Sequence, residues 1–411
     1  MSIKVKMSEL KLAAKIASQV RDASAGGKKN YPWLNFYRLV ADPNFGLALY
    51  ATDGSCWLTW VIQTEELFED TYDIVLSSSR VNDFLAKEND GPPYEIIKEP
   101  GQIALSREDG TVRIEEEDPI KYPQTPDGSQ SYEEFSVSAG TLTKNFKFAE
   151  PFINAGHATA AYTVVTWTKE GILVTGAVRH LVRVEGMPCP PMGVSFKKPL
   201  LNSVLSFLNA LEGDVNITLS EKCYTFLCPA SGRKLIVSGE TARFPSAIQE
   251  LGDKPPTVIK FDGKILRGGV GAVNALLLAE ADRFLVRISG SQENSYIHIT
   301  TLTTETKRSR KKFPIIRETE GDHDIEFVVN GRIFEISLGQ MEGAILEGRF
   351  YESADPPRFC IEDERSTEDD TYRCVFIPVT MSAMDAEKEE PSESKKKGES
   401  KPDKRKVLTR S

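Results

Sequence analysis

A short strand followed by an amphipathic helix recurs three times in this sequence at domain-sized spacing. The three helices are predicted to begin at Ser8, Ser138 and Asp262, which lie 130 and 124 residues apart. Each of these residues is a favourable N-cap, because its side-chain oxygen can accept a hydrogen bond from the first helical turn. The recurrence predicts one module present three times rather than a single large core.

Each of these helices pairs an apolar face with a basic one. In the first, predicted from Glu9 to about Val20, Leu12 and Ile16 share one face by i, i+4 spacing and Lys11 and Lys15 share another. The basic pairs of the second and third helices are Lys144 with Lys147, and Lys264 with Arg267. On the third helix the residues predicted to lie inside are Ile265, Leu266, Val270 and Val273.

Each module is also predicted to carry a second helix. These helices are expected at 79–87, 197–208 and 330–338, and short alternating strands such as 46–51, 171–175 and 295–300 lie between the helices. A sheet-rich module with two helices on one face is an α+β arrangement. The predicted domains are 1–128, 129–252 and 253–381, and the charged, apolar-poor segment 382–411 is expected to be a disordered tail.

The bulk composition fits a multidomain globular protein. A chain of 411 residues is too long for one ordinary core, and 40% apolar with 27% charged residues are globular values. The sequence shows neither an apolar run of membrane-spanning length nor a signal-peptide pattern, so we expect a cytoplasmic protein. The net charge of −9 disfavours nucleic-acid binding by bulk attraction, so the placement of the lysines matters more than their sum.

No catalytic motif stands out in the sequence. The four histidines and six cysteines are scattered without metal-ligand spacing, so we expect neither a metal nor a cofactor. The run Gly268–Gly271 departs from the spacing of a dinucleotide-binding loop, and close packing of a helix explains it better. The protein is therefore interpreted as a non-enzyme. An enzyme whose site is assembled from loops remains an alternative.

The repeated basic helix faces are the strongest functional signal. Lysine and arginine on such faces meet phosphates without reading bases, which gives salt-dependent and sequence-independent attraction to nucleic acid. Three modules arranged with these faces toward a common centre would line one surface with positive charge.

With these features in order, the sequence resembles the bacterial DNA polymerase III beta subunit, the replication sliding clamp, over about residues 1–381. The resemblance is carried by the segments 50–54 (Tyr-Ala-Thr-Asp-Gly), 173–182, 243–245 (Arg-Phe-Pro) and 376–379 (Phe-Ile-Pro-Val). It implies three DNA-clamp domains per chain and a head-to-tail homodimer that closes into a ring around duplex DNA. In that family a clamp-loader ATPase opens the ring, which then tethers the DNA polymerase for processive replication.

The resemblance also implies three sets of site residues. The DNA-binding set is Lys11, Lys15, Lys28, Lys29, Arg80, Lys144, Lys147, Lys197, Lys198, Lys264 and Arg267. The partner-peptide pocket, between the second and third domains, comprises Thr175, Arg179, His180, Leu181, Pro245, Val375, Phe376, Ile377, Pro378 and Val379. The dimer interface comprises Val112 and Ile114 of one subunit with Leu277 and Leu278 of the next.

Two departures from the family pattern concern the pocket. The segment Ala177–His180 replaces the family's Asp-Gly-His-Arg run, and Gln249 falls near a family arginine. Both put the peptide specificity in question rather than the fold. A clamp-like scaffold that binds proteins without encircling DNA is therefore a further alternative.

Overall fold

The computed structural model describes residues 2–21, 32–69, 71–89, 91–118, 122–126, 134–154, 163–177, 180–190, 193–220, 223–238, 254–274, 283–290, 294–302, 310–319, 324–363 and 371–381. The predicted tail from 382 onward lies outside the described residues. So do several predicted site residues, namely Lys28, Lys29, Arg179, Pro245, Leu277 and Leu278.

The same order of ten elements occurs three times along the described chain: one strand, a helix, four strands, a second helix and three strands. The first set is β1 (Ser2–Val5), α1 (Met7–Arg21), β2 (Phe36–Asp42), β3 (Gly46–Thr52), β4 (Cys56–Ile62), β5 (Tyr72–Ser77), α2 (Ser78–Lys87), β6 (Tyr94–Glu99), β7 (Gln102–Arg107) and β8 (Gly110–Glu117). The second is β9 (Glu134–Ser138), α3 (Ala139–Ala149), β10 (Val164–Trp167), β11 (Leu173–Ala177), β12 (His180–Glu185), β13 (Val194–Lys197), α4 (Lys198–Asn209), β14 (Asp214–Leu219), β15 (Cys223–Cys228) and β16 (Arg233–Ser238). The third is β17 (Thr257–Asp262), α5 (Gly263–Asn274), β18 (Arg283–Ser289), β19 (Ser295–Leu302), β20 (Arg310–Arg317), β21 (Ile325–Asn330), α6 (Gly331–Gln340), β22 (Ile345–Tyr351), β23 (Arg358–Asp363) and β24 (Tyr372–Pro378).

Strand pairing confirms the predicted α+β class. In each set the second helix follows a strand that pairs antiparallel with the first strand after the first helix, as in β2–β5, β10–β13 and β18–β21. The opening strand of each set pairs antiparallel with the strand after the second helix, as in β1–β6, β9–β14 and β17–β22. The threefold recurrence in the sequence is therefore a recurrence of topology. The division into domains at residues 128 and 252 stays a prediction.

The chain forms two compact units. The first contains Met1–Glu250 and Glu362–Phe376, and the second contains Leu251–Ile361 and Ile377–Ser411. The first unit holds the sheet β1-β6-β7-β8-β5-β2-β3-β4-β16-β15-β14-β9 and the strands β13-β10-β11-β12-β24. The second holds the strands β23-β22-β17-β20-β19-β18-β21.

Within the first unit, two equivalent strand pairings connect successive sets of elements. We call the pairing of β4 with β16 the first junction and the pairing of β12 with β24 the second junction. The first runs from Thr59 opposite Lys234 to Cys56 opposite Val237, and the second includes Val184 opposite Arg373. In both, the third strand after a first helix pairs with the last strand of the following set.

Aromatic side chains fill the cores under the helices. In the first unit the ring of Trp60 on β4 meets Phe207 of α4 edge-on at a centroid distance of 6.1 Å. In the second, Phe327 stacks on Phe350 at 5.1 Å, and Phe359 lies beside both Phe327 and Phe334. The predicted apolar helix faces thus pack on the sheets, as expected from their spacing.

The predicted starts of the first helices are right within two residues. Asp262 is an N-cap, since its Oδ1 accepts a hydrogen bond from the Ile265 amide at 2.8 Å. Ser138 precedes α3 but makes no capping hydrogen bond through its side chain. The prediction of Ser8 as a cap is wrong, because α1 begins at Met7 and the amide of Glu9 bonds to the Lys6 carbonyl.

On α5 the packing explains the glycine run and corrects one burial prediction. A Cβ on Gly269 would lie 2.1 Å from ring atoms of Phe313, so only glycine allows the helix to approach β20 this closely. Leu266, Val270 and Val273 are buried as predicted. Ile265, predicted to lie inside, is 51% exposed.

Candidate nucleic-acid interface

The helices that carry the predicted basic residues form one layer in the first unit. Helix α2 packs against α1, α1 against α4, and α4 against α3, while the sheet strands lie beneath them. In the second unit α5 packs against α6 in the same way. The folding of each module therefore collects the basic faces on the helical side of its sheet.

The three first helices bury residues at the same steps from their starts. The equivalent buried sets are Met7, Ala139 and Gly263; Ala13, Asn145 and Gly269; Ala14, Phe146 and Val270; and Ala17, Ala149 and Val273. In this register Lys15 and Lys147 are equivalent, and Lys11 is equivalent to Arg267. Lys144 and Lys264 have no basic equivalent. The basic pairs thus recur on the same side of the helix, with only part of their register shared.

Lys15 and Lys147 are the clearest candidates for contact with phosphate. Both are exposed, and the Lys15 side chain makes no ion pair or hydrogen bond within the described part of the chain. Lys147 Nζ donates to Asn209 Oδ1 at 2.8 Å, an exposed contact that water or phosphate can replace. Of the remaining lysines on the first unit's helical side, Lys11 and Lys144 are half-buried and Lys197 is exposed.

Two predicted contacts at the second helices already have acidic partners. Arg80 on α2 forms an ion pair with Glu115 at 2.6 Å, and Lys198 on α4 pairs with Glu150 at 2.7 Å. The side chains of Arg80 and Glu115 are 55% and 72% exposed, and ion pairs this exposed contribute little to the stability of the fold. Glu115 raises the pKa of Arg80, so the guanidinium stays charged and can exchange one anion for another.

On α5 the two predicted cations differ. Lys264 is exposed and has no polar partner among the described residues. Arg267 instead donates through Nη1 to the carbonyl oxygens of Leu338 and Met341, within and just beyond the last turn of α6. It satisfies carbonyl groups that the end of a helix leaves unpaired, so its role is in the packing of α5 against α6 rather than in a free basic face.

Sequence reasoning missed Arg332. It is exposed in the first turn of α6, and neither an ion pair nor a hydrogen bond engages it among the described residues. The signal was present, since Arg80, Lys198 and Arg332 all lie in the first turn of a second helix. Of the three second helices, α6 has the weakest helical pattern in the sequence.

Such a layer can hold a polyanion but has no means of reading a base sequence. Lysine contacts phosphate as a point charge and arginine through its planar guanidinium, and neither contact carries information about the base sequence. In the described residues no group of histidine, cysteine, aspartate or glutamate side chains is placed to hold a metal ion.

The residues predicted for the peptide pocket lie on different parts of their strands. In the first unit Leu181 is directly opposite Phe376 in the second junction, and both are under 10% exposed. Thr175 is fully buried, and its Oγ1 donates to the Val164 carbonyl at 2.8 Å, so its hydroxyl is already engaged. Val375 is likewise fully buried.

His180 begins β12 beside these residues. Its Nε2 donates to the Phe152 carbonyl at 2.9 Å, and its ring lies 5.7 Å from that of Phe152. Burial lowers the pKa of His180, against the opposing effect of this hydrogen bond, so the ring is neutral near pH 7.

In the second unit, Ile377 and Val379 are buried and Pro378 is half-buried. The amide of Val379 donates to the Pro357 carbonyl at 2.8 Å, and Thr380 exchanges two backbone hydrogen bonds with Val328. These contacts hold the two residues that follow β24 against the Pro357 carbonyl and against β21.

The two described residues of the predicted dimer interface differ in exposure. Val112 on β8 is 39% exposed and is available to a second chain. Ile114, two residues further on the same face, is only 3% exposed. It lines the same interior space as Leu105 and Ile103, and its place in the dimer contact stays a prediction.

The strand topology and the helix layer together define a clamp-type α+β fold. Among solved structures, the chain is similar to the DNA polymerase III beta subunit of Pseudomonas aeruginosa, with 13% identity, a TM-score of 0.76, and coverage of 93% of this chain and 100% of that one. It is also similar to the beta subunit of Thermotoga maritima, with 15% identity, a TM-score of 0.77, and coverage of 93% and 100%. A sliding clamp from Bartonella birtlesii bound to griselimycin gives 16% identity, a TM-score of 0.75, and coverage of 92% and 99%.

These likenesses confirm the fold that the sequence resemblance implied. No protein-family model matches this sequence, and no curated protein matches it. At identities of 13–16%, these similarities support a conclusion about the fold alone. No helix in the described part of the chain is both long and apolar enough to span a membrane.

Proposed function

We propose that this protein is a sliding clamp, which encircles duplex DNA and tethers a replicative DNA polymerase for processive synthesis. The observation that carries the proposal is the combination of the clamp fold with one helix layer that bears exposed cations on α1, α2 and α3 and, at Lys197, directly before α4. Contacts of this kind are weak individually and independent of sequence, which is what movement along DNA requires. Retention would come from closure around the DNA rather than from tight binding.

The proposal includes a head-to-tail homodimer. Its support is the repetition of strand pairing, because β4 pairs with β16 and β12 pairs with β24 while the equivalent strands β20 and β8 have no such partner within the described chain. The unpaired edges run along 110–115 of β8 and 310–315 of β20. Unpaired strand edges are templates for pairing with another chain. We infer that β20 of one copy pairs with β8 of the next.

Partner peptides are proposed to bind between the second and third domains. We retain Leu181, Phe376 and Pro378, with His180 nearby, as residues of this pocket, together with Arg179 and Pro245, which lie outside the described residues. Short linear peptides from a polymerase and a clamp loader would bind there through apolar side chains, and linkage to the ring would raise the polymerase's effective concentration at the DNA. The ring itself would catalyse no reaction, and its place would be the cytoplasm, at the nucleoid.

The test is retention on circular DNA. Purified protein is loaded on a nicked circular plasmid with a clamp loader of a bacterium whose clamp shares this fold, and the complex is separated from free protein by gel filtration. A clamp stays with the circle and dissociates when a restriction enzyme linearises it. Protein that remains bound equally after linearisation is adsorbed rather than encircling, and this result would overturn the proposal. Peptide binding without any retention would instead support a protein-binding scaffold.

A further inference from the structure

The first and second junctions each contain a buried arginine at the same position. Arg233 begins β16, and its Nη2 lies 3.2 Å from Glu9 Oε2 on α1, the first helix of the preceding set. Arg373 on β24 donates to Asn145 Oδ1 on α3 at 2.8 Å, again the first helix of the preceding set. The two arginines are 8% and 4% exposed. Each reaches back across its junction and connects two modules.

Ladder registers identify the equivalent position on β8. Val5 and Val137 each precede a first helix by two residues, and they pair with Tyr94 and Val215. Following the next two pairings outward leads from Tyr94 to Gly110 and from Val215 to Arg233. The proposed contact between copies therefore has glycine where both internal junctions have arginine.

The opposite strand changes in a complementary way. On β20, Lys311 occupies the position that Trp60 holds on β4 and Val184 holds on β12, by the same counting of registers. Lys311 is exposed, and its side chain makes neither an ion pair nor a hydrogen bond within the described chain. Its neighbours have partners, because Arg310 bonds to His298 and Lys312 lies 3.4 Å from the ring centroid of Tyr296.

An acidic group without a partner lies at the matching place on the other edge. Glu108, in the turn that leads into β8, is exposed and makes neither an ion pair nor a hydrogen bond among the described residues. It precedes Gly110 by two residues, and the turn that carries it lies at the start of the unpaired edge of β8. Pairing of the two edges in the register of the internal junctions would put Lys311 opposite Gly110, next to the turn that carries Glu108.

We propose that the contact between two copies of this chain is held by the exposed pair Lys311–Glu108 in place of the buried arginine of the internal junctions. This inference rests on the head-to-tail dimer of the proposed function. An exposed pair is screened by salt, whereas buried arginines are much less so. The contact between copies is therefore the junction that separates first, which is the property a clamp needs at the place where it opens.

The test is the dimer dissociation constant, measured by sedimentation at about 50 mM and about 500 mM salt, which bracket strong and weak electrostatic attraction. We expect Lys311→Glu and Glu108→Lys each to weaken the dimer about tenfold or more at low salt, since each replaces attraction with like-charge repulsion at both contacts of the ring. The double variant restores the pair with reversed polarity and returns the dissociation constant to within about threefold of the original. Lys169→Glu, in the turn between β10 and β11, is the control with the same change in net charge.

Equal dissociation constants for the unchanged protein and Lys311→Glu, or no rescue in the double variant, would overturn this inference while leaving the dimer intact. A protein that is monomeric at every concentration would overturn the head-to-tail dimer itself. Urea unfolding of each variant shows whether the fold is retained. Where Lys311→Glu fails to fold, Lys311→Met provides the same comparison without a new charge.

Discussion

The guanidinium carbon of Arg233 lies 4.1 Å from the centroid of the Trp60 ring, directly over its face. The same guanidinium donates from Nε to the Val61 carbonyl at 3.1 Å and pairs with Glu9. Burial lowers the pKa of Arg233, and Glu9 acts in the opposite direction. An aromatic face, a carbonyl oxygen and a carboxylate thus replace water around one buried cation at the first junction.

Replacing Arg233 by methionine should destabilise the protein by about 3 kcal/mol, because it leaves the Glu9 carboxylate and the Val61 carbonyl without their partner. Urea unfolding followed by tryptophan fluorescence measures the change. The neighbouring Lys234→Met, at a half-buried residue of the same strand, is the control and should change stability by no more than about 0.5 kcal/mol. Equal effects of the two substitutions would show that Arg233 stabilises the protein only through the packing of its side chain and not through its charge.

The contact between Arg233 and Glu9 can be isolated by a double-mutant cycle. In Glu9→Gln the amide keeps the shape of the side chain without its charge. We expect Arg233→Met to cost about 1 kcal/mol less in that background than in the unchanged protein, because part of its cost is the unpaired carboxylate. Additive effects would place the arginine's contribution in its interactions with Trp60 and Val61 instead.

The register-equivalent lysines of α1 and α3 should act together on DNA. The double variant Lys15→Glu/Lys147→Glu is expected to bind duplex DNA more weakly. It should also reduce the magnitude of the slope of log K against log salt by about 1.8, at about 0.9 for each phosphate that is no longer neutralised. Fluorescence anisotropy over a salt series measures this slope. Lys169→Glu has the same charge change per residue outside the helices and should leave the slope unaltered. An unchanged slope in the double variant would remove these two lysines from the interface.

Much of the module was predictable from local pattern, and particular residues show why. The spacing of Leu266, Val270 and Val273 gives the buried face of α5, and the Asp262 side chain marks its start, since both are local properties. Ile265 was wrongly predicted to be buried because its spacing puts it at the edge of that face. Only the packing of α5 shows which edge of the face is buried. The interaction of Arg233 with Glu9 could not be predicted from local pattern, since only the pairing of β16 with β4 brings Arg233 to α1.

The glycine pair on α5 offers a matched test of packing. Gly269→Ala should destabilise the second unit by about 1–3 kcal/mol, because its Cβ would lie 2.1 Å from the Phe313 ring and force a shift of helix or ring. The adjacent Gly268→Ala meets no atom within 4 Å and should be neutral or stabilise by up to about 1 kcal/mol through helix propensity. Thermal or urea unfolding compares the two. Similar effects of both substitutions would show that α5 can move away from β20 at little cost.

His180 should make stability depend on pH near neutrality. Burial lowers its pKa in the folded chain, so the unfolded chain binds more protons and stability rises with pH through this interval. The contribution is fully present above the unfolded value of about 6.5 and is lost as pH falls below it, because protonating the folded ring costs more than protonating the unfolded one. His180→Gln removes this titration. We therefore expect the free energy of unfolding to fall less steeply between about pH 7.5 and pH 5 in the variant than in the unchanged protein. Urea unfolding at a series of pH values measures both slopes, and identical slopes would mean that the ring titrates as freely in the folded chain as in the unfolded one.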